Sequence, residues 1–250
     1  MPHPIRIGDI YVGVGGWTYE GWDKHFYPEK LAKKRQLEFM SRAVTAIEIN
    51  GTFYRLQKPD TFKKWAGETP DDFRFTLKAH NFCTSRKTPD DMKSAIDNFV
   101  QSGVTELQDK LGAINWQFPP TRKFDAEYFE AFCSRLPKDH EGVKLRHAIE
   151  VRHETFNTPA FHDLLRKHAC ALVSADDDDW PQQDVETTDF AYARLQRTRV
   201  GESTGYPASE LDAWAKTFKS WSKTRSVFAF FIAGAKETNP TAAQALIKRL

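Results

Sequence analysis

Apolar residues recur along this chain with two different periods. Met92, Ala95, Ile96 and Phe99 follow the i, i+3, i+4, i+7 spacing of a helix with one buried stripe, and so do Phe129, Phe132, Cys133 and Leu136. Leu211, Trp214, Ala215 and Phe218 repeat it, as do Ala243, Leu246, Ile247 and Leu250. Weaker stripes run through Leu37, Met40 and Val44, through Phe62, Trp65 and Ala66, and through Phe161, Leu164 and Leu165, which makes seven helices. Thr88-Pro89, Thr158-Pro159 and Asn239-Pro240 each set a capping side chain ahead of a proline at the first helical position, where its missing N–H is harmless. Between the helices lie eight short segments of strand character: 11–14, 46–50, 73–78, 113–118, 148–152, 171–175, 190–195 and 227–231.

Strand and helix alternate from end to end, except that no helix is expected around the acidic stretch 176–184, after strand six. That rhythm predicts parallel strands joined by helical crossovers. Eight strands, seven helices and 250 residues without a Pro/Gly/Ser linker predict an α/β fold, a single (β/α)8 TIM-like barrel domain over 1–250. A doubly wound dinucleotide-binding sheet fits less well. Its glycine turn should lead directly into a helix, whereas Gly13-Val14-Gly15-Gly16 runs into Trp17-Thr18-Tyr19. Its strands would also be near-continuously apolar, and these alternate.

The alternation assigns faces. With the apolar set turned to the helices, Ile47 and Ile49 point outward and Glu48 and Asn50 inward. The same parity turns Lys78, Gln117, Glu150, Arg152, Tyr192 and Arg194 inward, each at or near the C-terminal end of its strand, where barrel enzymes build active sites. Charges inside a barrel are costly unless paired, so Glu48, Lys78, Glu150, Arg152 and Arg194, with Asp176 a further candidate, are expected to form one hydrogen-bonded network. An inert ion-pair cluster is the plain alternative to a ligand site. Such clusters stabilise weakly, however, and a lumen can be filled with Val, Ile and Leu instead.

The loop after strand one carries Trp17, Tyr19 and Trp22, then His25-Phe26-Tyr27-Pro28, and the loop after strand two carries Phe53, Tyr54 and Arg55. Aromatics beside hydroxyl and amide groups suit stacking on a sugar or a base, or simply plug the barrel mouth. Arg194, Arg197 and Arg199 followed by Gly201-Glu202-Ser203-Thr204-Gly205 offer anion donors where barrels often bind phosphate. His80 and His153 fall off the inward parity and suit supporting hydrogen bonds better than metal ligation. No metal set can be assembled, and the acids 176–179 lack the spacing of a calcium loop. No phosphate-binding P-loop, nucleophile elbow or Cys–His pairing is present. No cofactor is therefore expected.

Composition narrows the class. The chain is 40% hydrophobic and 28% charged, with a formal charge of +2, so it is neither disordered nor strongly basic. There is no apolar run of membrane-spanning length and no basic-then-apolar start. Cys83, Cys133 and Cys170 are odd in number and widely spaced, which fits reduced thiols and a cytoplasmic location.

Gly16-Trp17-x-Tyr19-x-x-Trp22 with Phe26-Tyr27-Pro28, Glu48-Ile49-Asn50-x-x-Phe53-Tyr54, Phe73-x-Phe75-x-x-Lys78, Gln117-Phe118-Pro119-Pro120, Glu150-x-Arg152-His153 and Tyr192-x-Arg194 followed by Tyr206 run through nearly the whole chain. In these motifs the sequence resembles the YecE-like proteins, a domain-of-unknown-function family (family seventy-two) with a TIM-barrel fold. It departs from the family pattern in Gln196-Arg197, where a His-Gly pair is usual, and in Phe231-Ile232-Ala233, where Phe-Asn-Asn is usual. The resemblance implies the barrel and a shared rim pocket; it implies no settled activity.

The reading favoured by these residues is a barrel enzyme using general acid/base chemistry on a phosphate-bearing or sugar-like small molecule, without a tightly bound metal. Glu48, Lys78 and Glu150 would be its catalytic groups. Asn50, Gln117, Arg152, Arg194 and Arg197 would bind and orient the ligand, and Trp17, Tyr19, Trp22 and Tyr54 would stack on it. One alternative is a nucleic-acid-binding, nuclease-like module using Lys33, Lys34, Arg35, Lys63, Lys64, Arg197 and Arg199 on phosphates. Another is a non-catalytic interaction scaffold.

Overall fold

Helix-facing and lumen-facing side chains alternate along each strand, and that alternation lets the strands close on themselves. The computed structural model describes residues 4–180 and 182–250. In it, β1 (Ile10–Gly15), β2 (Ala46–Ile49), β3 (Arg74–Lys78), β4 (Leu111–Gln117), β5 (His147–Glu150), β6 (Cys170–Asp176), β7 (Phe190–Leu195) and β8 (Ser226–Phe231) pair in parallel with their neighbours in chain order. β8 pairs with β1 to complete the ring, Ile10 lying opposite Val227 and Val14 opposite Phe231. Each strand lies within two residues of its expected span.

The bounds differ most in β4, which begins at Leu111 rather than 113, and in β5, which ends at Glu150 rather than 152. The pairing of β4 with β3 slips between Phe75 and Thr76, so that Gly112 has no partner in the register. A Cβ on Gly112 would stand 2.7 Å from the Phe228 ring, so the glycine makes room for that aromatic in the lumen. A glycine in a strand reads as a breaker in sequence, which hides the first turn of the ladder.

Two cores result. The outer one packs residues such as Val12, Ile47, Ile49, Phe75, Leu77, Ile114, Trp116 and Leu195 under the helices. The lumen holds Tyr11, Phe190, Tyr192, Phe228 and Phe230 from one arc of strands against Ala46, Ala113, Ala148, Ala171 and Val173 from the other. Large rings from one side and small side chains from the other fill the barrel, and Tyr11 stacks on Phe228 with centroids 5.2 Å apart.

The seven expected helices are present, at Gln36–Ala43, Pro59–Gly67, Pro89–Val100, Ala126–Cys133, Pro159–Lys167, Ala208–Trp221 and Asn239–Ile247. Among the described residues between β6 and β7 there is no helix, as expected; Pro181, within that segment, lies outside them. Of the three proposed caps, Thr88 accepts from the Asp91 amide. The other two do not cap. Thr158 makes no side-chain cap hydrogen bond. Asn239 lies inside the first turn and is drawn into tertiary bonds, accepting from Thr198 at 2.9 Å and donating to the Ala233 carbonyl. Three single-turn helices, Trp22–His25, Gly51–Tyr54 and Asn81–Ser85, open the loops after β1, β2 and β3. They are too short to show an amphipathic period.

Candidate functional site at the barrel mouth

Eight residues converge on the inward face, seven of them on β2, β3, β4, β5 and β7 and Arg152 just beyond β5. Arg194, on β7, donates from Nη2 to Glu48 on β2 at 3.1 Å and from Nη1 to both oxygens of Glu150 on β5, at 2.9 and 2.8 Å. Arg152, two residues beyond Glu150, folds back to give it two more bonds, from Nε at 3.0 Å and Nη2 at 2.7 Å. Asn115 on β4 donates to the other Glu150 oxygen at 3.0 Å. Tyr192 donates to Glu48 at 2.6 Å, so the Thr76 hydroxyl, 2.8 Å away, donates to the tyrosine in turn. Gln117 accepts from Arg152 and Arg194 at 3.1 and 3.3 Å. Both carboxylates are fully buried.

The electrostatics follow from this geometry. Burial pushes the Glu150 carboxyl up, but Arg194, Arg152, the Asn115 bond and Lys78 together pull it further down, to about 2. Glu150 is therefore ionised at every physiological pH. Burial lowers the Arg194 guanidinium, yet Glu150 and Glu48 more than offset this and hold it above its ordinary value. Burial likewise pushes the Tyr192 phenol far up, with Glu48 adding to it, so the ring keeps its proton.

Lys78 is different. Its side chain is inward and 8% exposed, with Nζ 4.0 Å from the centroid of Phe53. Among the described residues it has no carboxylate within ion-pairing distance; Glu150 is held by Arg194, Arg152 and Asn115, and Glu48 by Arg194 on one oxygen and the Tyr192 hydroxyl on the other. Burial and Arg194 lower its amine, the two carboxylates recover part of that, and the balance falls at about 8.

The rim around this network is built from the loops. Trp17, Tyr19 and Asn50 line a cleft of about 360 Å³ with Gly15, Gly16 and Trp65. Trp17 packs edge-on to Trp65, and Tyr19 is tied by its hydroxyl to Glu237. Trp22 is packed into the helix layer at 2% exposure, donating from Nε1 to the Lys236 carbonyl, and does not border the cleft. Tyr54 lies at the opposite extreme, 75% exposed, its ring edge-on to Phe53. Ile232 joins the lumen cluster and makes this side of the mouth apolar.

Asp176 lies on the outward parity of β6 and is not in the lumen network. It pairs with Arg197 at 2.7 Å and accepts from the buried Tyr206 hydroxyl at 2.8 Å. Arg197 also reaches Asp178, and Arg199 is paired with Glu210. His80 and His153 accept from the backbone amides of Phe82 and Thr155, capping the short helices that follow them. Sequence reasoning missed three members of the mouth, Thr76, Asn115 and Trp180, and named Phe53 only as a loop aromatic. Thr76 and Asn115 share the inward parity of Lys78 and Gln117, and the same argument reaches them. Trp180, under the Arg152 guanidinium at 5.5 Å, stands on a loop that has no period to read, and Phe53, in the short helix after β2, is placed against Lys78 only by the fold.

Residues 11–250 match the sequence profile of the family described as protein of unknown function DUF72. The chain belongs to that family. Among curated relatives, this DUF72 chain is 29% identical over 159 residues to the UPF0759 protein YunF of Bacillus subtilis (strain 168), covering 62% of this chain and 54% of that protein. It is 26% identical over 150 residues to the UPF0759 protein YecE of Escherichia coli (strain K12), covering 59% and 50%. The chain thus spans about half the length of the curated relatives it matches. A crystal structure of a DUF72 family protein from Thermotoga maritima superposes with a TM-score of 0.77 at 24% identity, over 96% of this chain and 97% of that one. The barrel is also shared, at the level of fold, with a D-psicose 3-epimerase from Clostridium cellulolyticum H10 (TM-score 0.59, 13% identity, 95% of this chain and 97% of that one). A family 2 AP endonuclease from Brucella melitensis shares it too (TM-score 0.54, 9% identity, 92% and 96%). Among the described residues no helix of this DUF72 barrel is long and apolar enough to cross a membrane.

Proposed function

We propose that this DUF72 barrel is an enzyme that binds an anionic, sugar-like small molecule at the C-terminal mouth and transfers a proton there. The observation that carries the reading is the charge count of the mouth. Lys78, Arg152 and Arg194 face Glu48 and Glu150, three cations against two carboxylates, with Glu150 paired to both arginines and Glu48 to Arg194 and the Tyr192 hydroxyl. The surplus positive charge is displayed by Lys78 and by Arg152, whose side chain is 19% exposed. A phosphate or carboxylate on a ligand would neutralise it.

In this reading the proton-transfer group is Lys78. Its amine titrates near 8, close enough to neutral pH to give and take a proton, whereas Glu150, near 2, does not. Glu48 and Glu150 position the two arginines. Gln117 accepts from both arginines, and Asn50, Trp17 and Tyr19 line the adjoining cleft. The fold-level likeness to an epimerase solved with D-tagatose agrees with a sugar-like ligand. The likeness to an AP endonuclease raises nucleic acid as a second ligand class. The surface cations do not favour it. Of the seven basic residues named for a phosphate backbone, Arg35, Lys63, Lys64, Arg197 and Arg199 are each paired with a carboxylate, while Lys33 and Lys34 form no ion pair among the described residues.

The test is a thermal-shift titration with ribose 5-phosphate, glucose 6-phosphate, their unphosphorylated sugars and an abasic oligonucleotide. A ligand at about 100 times its dissociation constant stabilises by about 2.7 kcal/mol. Stabilisation by a sugar phosphate that is lost in Arg152→Met supports the reading. Silence across the sugars, or stabilisation by the oligonucleotide alone with a steep loss in salt, overturns it.

A further inference from the structure

We propose that Lys78 is a covalent nucleophile that captures an aldehyde or ketone ligand as an imine. The inference rests on the reading of the barrel mouth as a ligand site, and it narrows the ligand to a carbonyl compound carrying an anionic group.

The geometry sets this lysine apart. An ammonium that is 92% buried normally meets a carboxylate or a set of carbonyl oxygens. Lys110, buried to a similar degree at 6% exposure, shows the structural pattern, donating to the Ala66 and Thr69 carbonyls and the Thr69 hydroxyl. Lys78 has none of these among the described residues. One side of its Nζ is closed by the face of Phe53, the two carboxylates that could hold it are engaged by Arg194, Arg152 and Tyr192, and Arg194 and Arg152 set like charge beside it. Desolvation and a neighbouring cation are the two devices that free a lysine amine for attack on a carbonyl. The amine is not sealed off, since it stands at the strand end that opens to the mouth. Arg152, beside it, can hold a phosphate or carboxylate while the amine reaches the carbonyl carbon.

The step balances without a co-reactant. The neutral amine of Lys78 forms a C–N bond to the carbonyl carbon, and the proton it sheds goes to the former carbonyl oxygen, giving a carbinolamine. The nitrogen lone pair then expels that oxygen, which takes a further proton from solvent and leaves as water. The product is a protonated imine, a cation in place of the original ammonium, so the charge of the mouth is restored.

Two measurements on the intact wild-type chain test the proposal. The first is brief labelling with formaldehyde and cyanoborohydride at pH 7, followed by peptide mapping. An amine titrating near 8 has about 300 times the neutral fraction of one near 10.5 at that pH, so even with restricted access Lys78 is expected to label at least about tenfold faster than exposed Lys93 or Lys144. The second is incubation with dihydroxyacetone phosphate, or with unphosphorylated dihydroxyacetone, and cyanoborohydride. The expected product is a single adduct on the Lys78 peptide, heavier by the probe less one oxygen atom, formed faster with the phosphorylated probe and absent in Lys78→Arg. Labelling of Lys78 no faster than that of Lys93, or adducts spread over surface lysines without Lys78, overturns the inference. Stabilisation by dihydroxyacetone phosphate with no Lys78 adduct also overturns it, while leaving the proposed anionic-ligand site standing.

Discussion

Arg194 Nη1 donates to both oxygens of Glu150, at 2.9 and 2.8 Å, in a part of the lumen where the arginine side chain is 3% exposed and the glutamate not at all. The same guanidinium reaches Glu48, so one cation compensates two buried acids from opposite arcs of the barrel. Removing it leaves carboxylates that cannot be rehydrated. Arg194→Met is expected to destabilise the barrel by about 3–5 kcal/mol, read as a lower urea midpoint. Adding Glu48→Gln and Glu150→Gln to it should recover a substantial part. If the single variant matches wild type, Arg194 is not the hub described.

Tyr192 and Glu48 form the shortest contact of the network, 2.6 Å from hydroxyl to carboxylate. Tyr192→Phe keeps the ring in the lumen cluster and removes the donor to Glu48 and the acceptor for Thr76. A loss of about 1–3 kcal/mol is expected, with little change in barrel packing. A change below about 0.5 kcal/mol would mean that water replaces the hydroxyl there.

Acid should weaken the protein in two windows. Burial pushes His147 down to about 4, in spite of a bond to the Pro137 carbonyl, and its Nδ1 accepts from Trp116. The fold therefore holds the neutral ring. The stability this represents is present above the unfolded value of about 6.5 and is lost as pH falls from there toward 4, on the order of 3 kcal/mol in all. Glu150, held near 2, contributes stability that is present above about 4.5 and lost between there and 2. Urea midpoints taken from pH 7 to pH 3 should decline through both windows, and His147→Gln should flatten the first. An unchanged slope between pH 6.5 and 4 in that variant would contradict the assignment to His147.

β1 and β2 meet closely at Gly13. A Cβ there would lie 1.7 Å from the Ala46 carbonyl oxygen, a backbone atom that cannot swing aside. Gly13→Ala is expected to cost more than about 3 kcal/mol and to lower soluble yield, whereas Gly51→Ala, where nothing lies within 4 Å, should be nearly neutral. Equal melting temperatures for the two would show that the strands can separate without penalty.

Most of the fold is legible in the sequence because strand parity and helix period are local consequences of where each side chain must point. The inward run of Glu48, Lys78, Gln117, Glu150, Arg152 and Arg194 follows from period two alone, and it brings those residues to one end of one barrel. What no period can show is how the charges divide among partners. Whether Arg194 pairs with one acid or two, and so whether Lys78 is left without one, depends on distances across the lumen between β2, β3, β5 and β7. Asp176 shows the same limit in reverse. Its position at a strand end suggested the lumen, but β6 turns it outward to Arg197 and Tyr206. Trp22 and Tyr54 are both loop aromatics in the sequence, and only packing separates a ring buried against the Lys236 carbonyl from one that is 75% exposed. The sequence by itself determined the barrel and the face of most strand residues, because both are set by chemistry within a few residues. The tertiary structure decided which charge is left over, because Coulomb energies and desolvation depend on neighbours more than a hundred residues away along the chain.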